Sequence, residues 1–145
     1  MSSLKSVIRL HKWQLDEKRR ALAELQNLGD RLRAEAQRLE EEVVQEQRAA
    51  SASFEASFTY ANYAKAAMER RRRIAQSIAQ VDQQIAAATD EMAAAFQELK
   101  RFELAEEERL RREKEKIRRK EDAMLDETAL VGFRRRQKAA EEAGS

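Results

Sequence analysis

The chain has 145 residues, enough for one domain with a core, yet 39% of them are charged, 6% are aromatic and none is proline. Its 29 basic and 27 acidic residues leave a net charge of +2, so it is no polycation, and the absence of cysteine excludes disulfides and thiol chemistry. The longest apolar runs, such as "MAAAF" (92–96), are too short to span a membrane. The opening "MSSLKSVIRLHKW" lacks the uninterrupted apolar stretch and small-residue cleavage site of a signal peptide, so the expected compartment is the cytoplasm.

The strong helix formers Ala, Glu, Lys, Arg, Leu and Gln dominate, and a seven-residue apolar period organises them. The spacing predicts a first helix over about 3–50. One row of its seam holds Ile8, Leu15, Leu22, Gly29, Ala36, Val43 and Ala50, the other Leu4, His11, Lys18, Leu25, Leu32, Leu39 and Glu46. Lys18 and Glu46 are intruders in that pattern. The period passes unchanged through "NLGD" (27–30), which predicts that the helix continues there, with Gly29 a flexible or closely packed point.

The stretch "SASFEASFTY" (51–60) is rich in Ser and Thr, which compete with helix by bonding local backbone. The chain is expected to reverse over about 51–59, with Ser57 and Thr59 as candidate caps of the next helix. A second helix is expected over about 60–138. Its seam, Ile74, Ile78, Val81, Ile85, Ala88, Met92, Ala95, Leu99 and Phe102, alternates spacings of four and three. After Phe102 the phase changes, and a single apolar row, Leu110, Ile117, Met124 and Val131, follows at intervals of seven.

Reversal near residues 54–55 makes antiparallel partners whose numbers add to about 109, so Leu4 faces about residue 105, where the clean seam of the second helix ends. The fold expected is therefore all-α: a long antiparallel two-helix coiled coil, an α-hairpin, with a first helix of about 70 Å and a longer second helix projecting beyond it. Between Lys100 and Asp122 most residues are charged, and Glu107–Arg111, Glu108–Arg112 and Glu115–Arg119 have the spacing of helix-stabilising pairs. Residues 139–145 are expected to be a disordered tail.

Catalysis finds little support. Glycine occurs only at 29, 132 and 144, so there is no phosphate-binding loop, and one histidine without cysteine supplies neither a metal site nor a nucleophile pair. No cofactor is expected. His11 falls on the seam and reads as a tolerated polar residue near a helix end. Trp13 falls on the opposite face, one turn from Leu10, and an outward apolar patch calls for a cover: either a partner or the chain's own "ALVGF" (129–133). The basic clusters "ERRRR" (69–73), "KIRRK" (116–120) and "FRRRQK" (133–138) invite a nucleic-acid reading, but acidic residues interleave with much of this charge and few aromatics are available to stack on bases. Acidic protein surfaces are the better match.

The opening "LKSVIRLHKW", the following "LDEKRRALAELQ", the middle stretch "SFTYANYAKAAMERR" and the long charged second helix together resemble the flagellar export protein family FliJ, especially its alpha-proteobacterial type. The stalk protein YscO of injectisome secretion systems is similar. The resemblance covers nearly the whole chain, and "RLHKWQLDEKRR" is its most distinctive part. It implies a non-enzymatic stalk or coupling component of type III protein export. Such a protein binds the ring of the export ATPase (FliI-type), touches the cytoplasmic domain of the export gate (FlhA-type) and escorts some export chaperones. Its place would be cytoplasmic, peripheral at the inner-membrane export apparatus.

By position, the resemblance implies an ATPase-ring contact at Leu4, Ile8, Leu10, Trp13, Leu15, Leu99, Phe102 and Leu110. It implies a gate contact at Tyr60, Tyr63, Met68, Arg70, Arg73 and Ile74, where four consecutive arginines make this chain more basic than such a contact suggests. Leu22, Leu25, Leu32, Leu39, Val43, Ile78, Val81, Ile85 and Met92 are left to the seam. The stalk reading expects a monomer; a self-associating coiled-coil scaffold and, behind it, a nucleic-acid-binding coiled coil are the competing readings.

Overall fold

A computed structural model describes residues 2–144. They form two α-helices, α1 (Ser2–Ala50) and α2 (Phe54–Gly144), joined by residues 51–53, and among the described residues there is no strand. The two helices pack against each other as a helical hairpin. The chain divides into two compact units: residues 8–99, and a unit made of the residues before Ile8 and after Leu99.

In residues 8–99 the seven-residue period becomes the seam between α1 and α2. Leu15, Leu22, Leu39 and Ala50 of α1 are buried with Ala67, Ile74, Val81 and Leu99 of α2. Leu25, Leu32, Val43, Ile78, Ile85 and Met92 are half-buried. Leu39, Ala67 and Ile74 form a core cluster on which Ala36, Val43, Tyr63 and Ile78 pack. Each large apolar side chain withdrawn from water contributes ~1.5–3 kcal/mol, and this row is the main force holding the two helices together.

Cross-helix ion pairs follow the register that the seam sets. Lys18 Nζ lies 3.0 Å from Glu91 Oε2, and Arg71 Nε lies 2.6 Å from Glu40 Oε1. Arg33 pairs with Asp82, and Arg70 reaches Glu35 and Glu42 at 3.9 Å. Partners in these pairs have numbers that add to between 105 and 115, as an antiparallel hairpin that reverses just after Ala50 requires. Lys18, an intruder by its seam position, stays exposed and carries its charge past the seam to Glu91.

The reversal is shorter than the sequence predicts, and its cap is a different residue. Ser51 Oγ donates to the Arg48 carbonyl at 2.7 Å and the Ala52 amide donates to the Ala49 carbonyl at 3.2 Å, closing α1. Ser53 then caps α2: its Oγ accepts from the Ala56 amide at 3.1 Å, and its carbonyl accepts from Ser57 at 3.1 Å. Ser57 and Thr59 therefore lie inside α2, where Thr59 Oγ1 donates back to the Glu55 carbonyl. No described residue has a positive φ, so the turn needs neither glycine nor proline.

In the other unit, Leu4, Val7 and Phe102 are half-buried and Glu106 is buried. The α2 seam spacing runs on from Phe102 into Glu106 and Arg109, which bond each other through Nε (3.1 Å) and Nη2 (2.9 Å). Beyond Arg109 almost every residue is exposed. Ion pairs along the helix support this stretch, among them Glu108–Arg112 at 3.3 Å and Glu115–Arg119 at 3.6 Å. Arg111 departs from the expected pairing: it meets Glu108 rather than Glu107. The helix also continues through residues 139–144, where the sequence suggests disorder, because "QKAAEEA" is made of strong helix formers and no breaker precedes Gly144. Ser145 lies outside the described residues.

Candidate partner-binding surface

Two helices that meet along one seam leave each helix an outer face, and the apolar side chains there mark where a partner can dock. In residues 8–99, the seam takes the positions one turn apart that hold Ile8, His11 and Leu15. Leu10 and Trp13, three residues apart, therefore share an outer face. Trp13 is 58% exposed and Leu10 is 51% exposed, a patch of a kind that soluble surfaces use for recognition. His11 is half-buried on the seam side.

The other residues implied for an ATPase contact divide by burial. Leu15 and Leu99 are buried in the seam and offer no surface; their side chains hold the helices together. Ile8 is half-buried. In the other unit Leu4 and Phe102 are half-buried, and Leu110 is exposed. The residues implied for the gate divide in the same way. Ile74 is a core residue, and Tyr63 packs on its cluster. Tyr60 is half-buried, its ring 6.1 Å from that of Tyr63, while Met68, Arg70 and Arg73 are exposed.

The arginine run is largely neutralised within the hairpin. Arg70 meets Glu35 and Glu42, Arg71 meets Glu40, and Arg72 forms a two-pronged bond to Glu69 at 2.6 and 3.2 Å. The bond from Arg72 holds the Glu69 carboxyl below its ordinary range, against a smaller opposing effect of desolvation. In the other unit Arg109 does the same for Glu106, with Lys5 adding a smaller contribution. The Tyr63 hydroxyl is buried without a hydrogen-bond partner. Desolvation raises its pKa, and the Glu42 carboxylate, near but not met in a well-formed bond, raises it further.

Two aromatics at the turn escape the seam-based reading. Phe54 is 88% exposed and Phe58, one turn on, is 73% exposed. The signal for them is their offset from the seam: the row through Ala56, Tyr60, Tyr63 and Ala67 leaves both on the outside once α2 begins at Phe54.

The described residues contain no cluster of His, Cys, Asp or Glu able to hold a metal ion, and no helix is long and apolar enough to cross a membrane. A helical hairpin with outward apolar side chains and ion-paired flanks is a coiled-coil type of protein, a class that many families share. Which one follows from the sequence as a whole: the family described as flagellar FliJ protein matches residues 1–138. The chain belongs to the FliJ family, the non-catalytic components of the flagellar export apparatus. No curated protein and no solved structure matches it.

Proposed function

We propose that this chain is the stalk of the flagellar export ATPase: the hairpin seats in the ATPase ring through the Leu10–Trp13 face of α1, contacts the export gate near Met68 and Arg73, and escorts export chaperones. The observation that carries the reading is the exposed Trp13 beside Leu10 in a chain of this family. An indole on an otherwise charged helix face costs solubility unless a partner covers it, and aromatic anchors of this kind dominate binding energy at interfaces.

The chemistry asked of the chain is mechanical. The apolar seam and the cross-helix ion pairs keep α1 and α2 in fixed register through residues 8–99, so a load applied at one level of the hairpin passes along it. Charged flanks give contacts that form and release readily, since exposed ion pairs are individually weak and salt-screened.

The test is ATP hydrolysis by the cognate export ATPase, measured with and without the full chain. Stimulation of the rate and of ring assembly, weakened by Trp13→Ala, supports the reading. An unchanged rate with an ATPase from the same export system overturns it.

A further inference from the structure

Residues 116–138 of α2 hold eight basic and four acidic side chains, a net charge of +4 where the whole chain has +2. Helical spacing sorts this segment by face. Ile117, Met124, Leu125, Thr128, Val131 and Gly132 share one face, about a third of the helix circumference wide. The four large apolar side chains among them are exposed. Arg118 and Arg136 border this face on one side, and Lys116, Lys120, Arg134 and Lys138 on the other. Glu115, Asp122 and Asp126 fall on the opposite face. Glu121 is the one carboxylate inside the apolar face, Glu127 sits among the basic residues of one edge, and Leu130 and Phe133 lie outside the face.

The arginines at 70–72 are held by carboxylates of the hairpin. Lys116, Lys120, Arg134 and Arg136, by contrast, make no ion pair or hydrogen bond among the described residues. A coiled-coil partner is selected by edge charges of both signs; here six of the seven edge charges are positive. An apolar face edged by unpaired cations on both sides, with carboxylates turned to the far side, is the charge layout of a helix lying in the surface of an anionic bilayer. The long Lys and Arg stems run beside the apolar side chains and carry their charged ends to the lipid phosphates. We propose that residues 116–138 lay this face directly onto an anionic lipid surface.

The segment is already helical, so binding carries no cost of folding it. No described helix is long and apolar enough to cross a membrane, so the contact is one of lying on the surface. It is reversible and salt-sensitive, because the basic edges supply much of the attraction. The proposal is independent of the stalk reading, and no ATPase enters its test.

The full chain is sedimented with vesicles of phosphatidylcholine alone and of phosphatidylcholine mixed equally with phosphatidylglycerol. The expected result is binding to the anionic vesicles and little to the neutral ones. Replacing Arg134→Ala together with Arg136→Ala weakens binding by about tenfold or more. Met124→Gln together with Leu125→Gln also weakens it, and Glu121→Gln tightens it. Arg31→Ala together with Arg38→Ala removes the same charge from exposed positions of α1 and leaves binding as in the natural chain. Circular dichroism of each variant confirms that the helix is kept. Absence of binding to the anionic vesicles overturns the proposal and leaves the face to an acidic protein. Equal binding to both kinds of vesicle overturns it too, as does a loss from the α1 pair that matches the loss from the α2 pair, which would mean that net charge acts without the face.

Discussion

Gly29 of α1 lies against Val81 of α2: a Cβ at Gly29 would stand 3.5 Å from Val81 Cγ1 and 3.6 Å from Ile85 Cδ1. Both are ordinary contact distances. The tighter approach, 3.1 Å to Arg33 Nη1, is to the end of a flexible side chain that moves at little cost. The glycine is therefore a helical residue facing the seam, in a helix that runs through it unbroken. Gly29→Ala removes the backbone-entropy penalty of glycine in a helix interior and adds a methyl to the seam. It is expected to stabilise the hairpin by ~1 kcal/mol, read as a rise in thermal midpoint. A fall would mean that the helices at this level have no room for the methyl.

Leu39 is the most buried side chain of the seam, at the centre of the cluster with Ala67 and Ile74. Leu39→Ala is expected to destabilise the hairpin by ~2–3 kcal/mol, the lower part of the range for buried leucines, because a two-helix seam relaxes more easily than a globular core. Val44→Ala, at a neighbouring exposed position, should change stability by less than ~0.5 kcal/mol. Chemical denaturation of the two variants separates seam from surface.

The seam was legible because a period of seven demands only that apolar residues recur on one face, and Leu15, Leu22, Ile74 and Val81 satisfy it without reference to the partner helix. What depends on the partner was not. Lys18 looks like an error in a row of leucines until Glu91, far along the chain, is placed beside it. Several Ser and Thr residues near the turn were eligible as caps, and only backbone geometry selects Ser53 over Ser57 and Thr59. The outward Trp13–Leu10 face followed from the same count that found the seam. Phe54 and Phe58 were missed because the start of α2 was placed six residues late. The end of α2 was misjudged for a different reason: local propensity at residues 139–144 supports helix even without a packing partner.

Tyr63 gives the hairpin a pH dependence at the alkaline end. Its hydroxyl is buried and unpartnered, and desolvation followed by the Glu42 charge raises its pKa above the ordinary 10.0. The folded state thus holds the phenolic proton more tightly than the unfolded state. This contribution is complete below the unfolded value and is lost as pH rises through the folded one. Tyr63→Phe removes both the titration and the unsatisfied hydroxyl. Its thermal midpoint is expected to equal or exceed that of the natural chain at neutral pH, because no hydrogen bond is lost. The difference in its favour should widen above pH 10.0. Thermal melts of the two proteins across that pH range provide the measurement; a gap that narrows with pH would mean the phenolate is the form the fold prefers.

Trp13 tests whether its face belongs to the hairpin or to a partner. An indole left 58% exposed contributes little to the packing of α1 on α2, and tryptophan to alanine also exchanges a weaker helix former for the strongest. Trp13→Ala is therefore expected to leave helical content and thermal midpoint nearly unchanged. Leu15→Ala, two residues away but buried at 4%, is expected to cost ~2 kcal/mol or more. Binding should respond to the two changes in the opposite order. If Trp13 anchors the hairpin in the ATPase ring, its loss weakens binding by ~2 kcal/mol, the size of a hot-spot residue. Leu15→Ala then lowers stability while the surviving folded fraction binds as before. Circular dichroism melts paired with binding isotherms on the cognate ATPase distinguish these outcomes, and a Trp13→Ala protein that melts early yet binds normally would assign the indole to the fold.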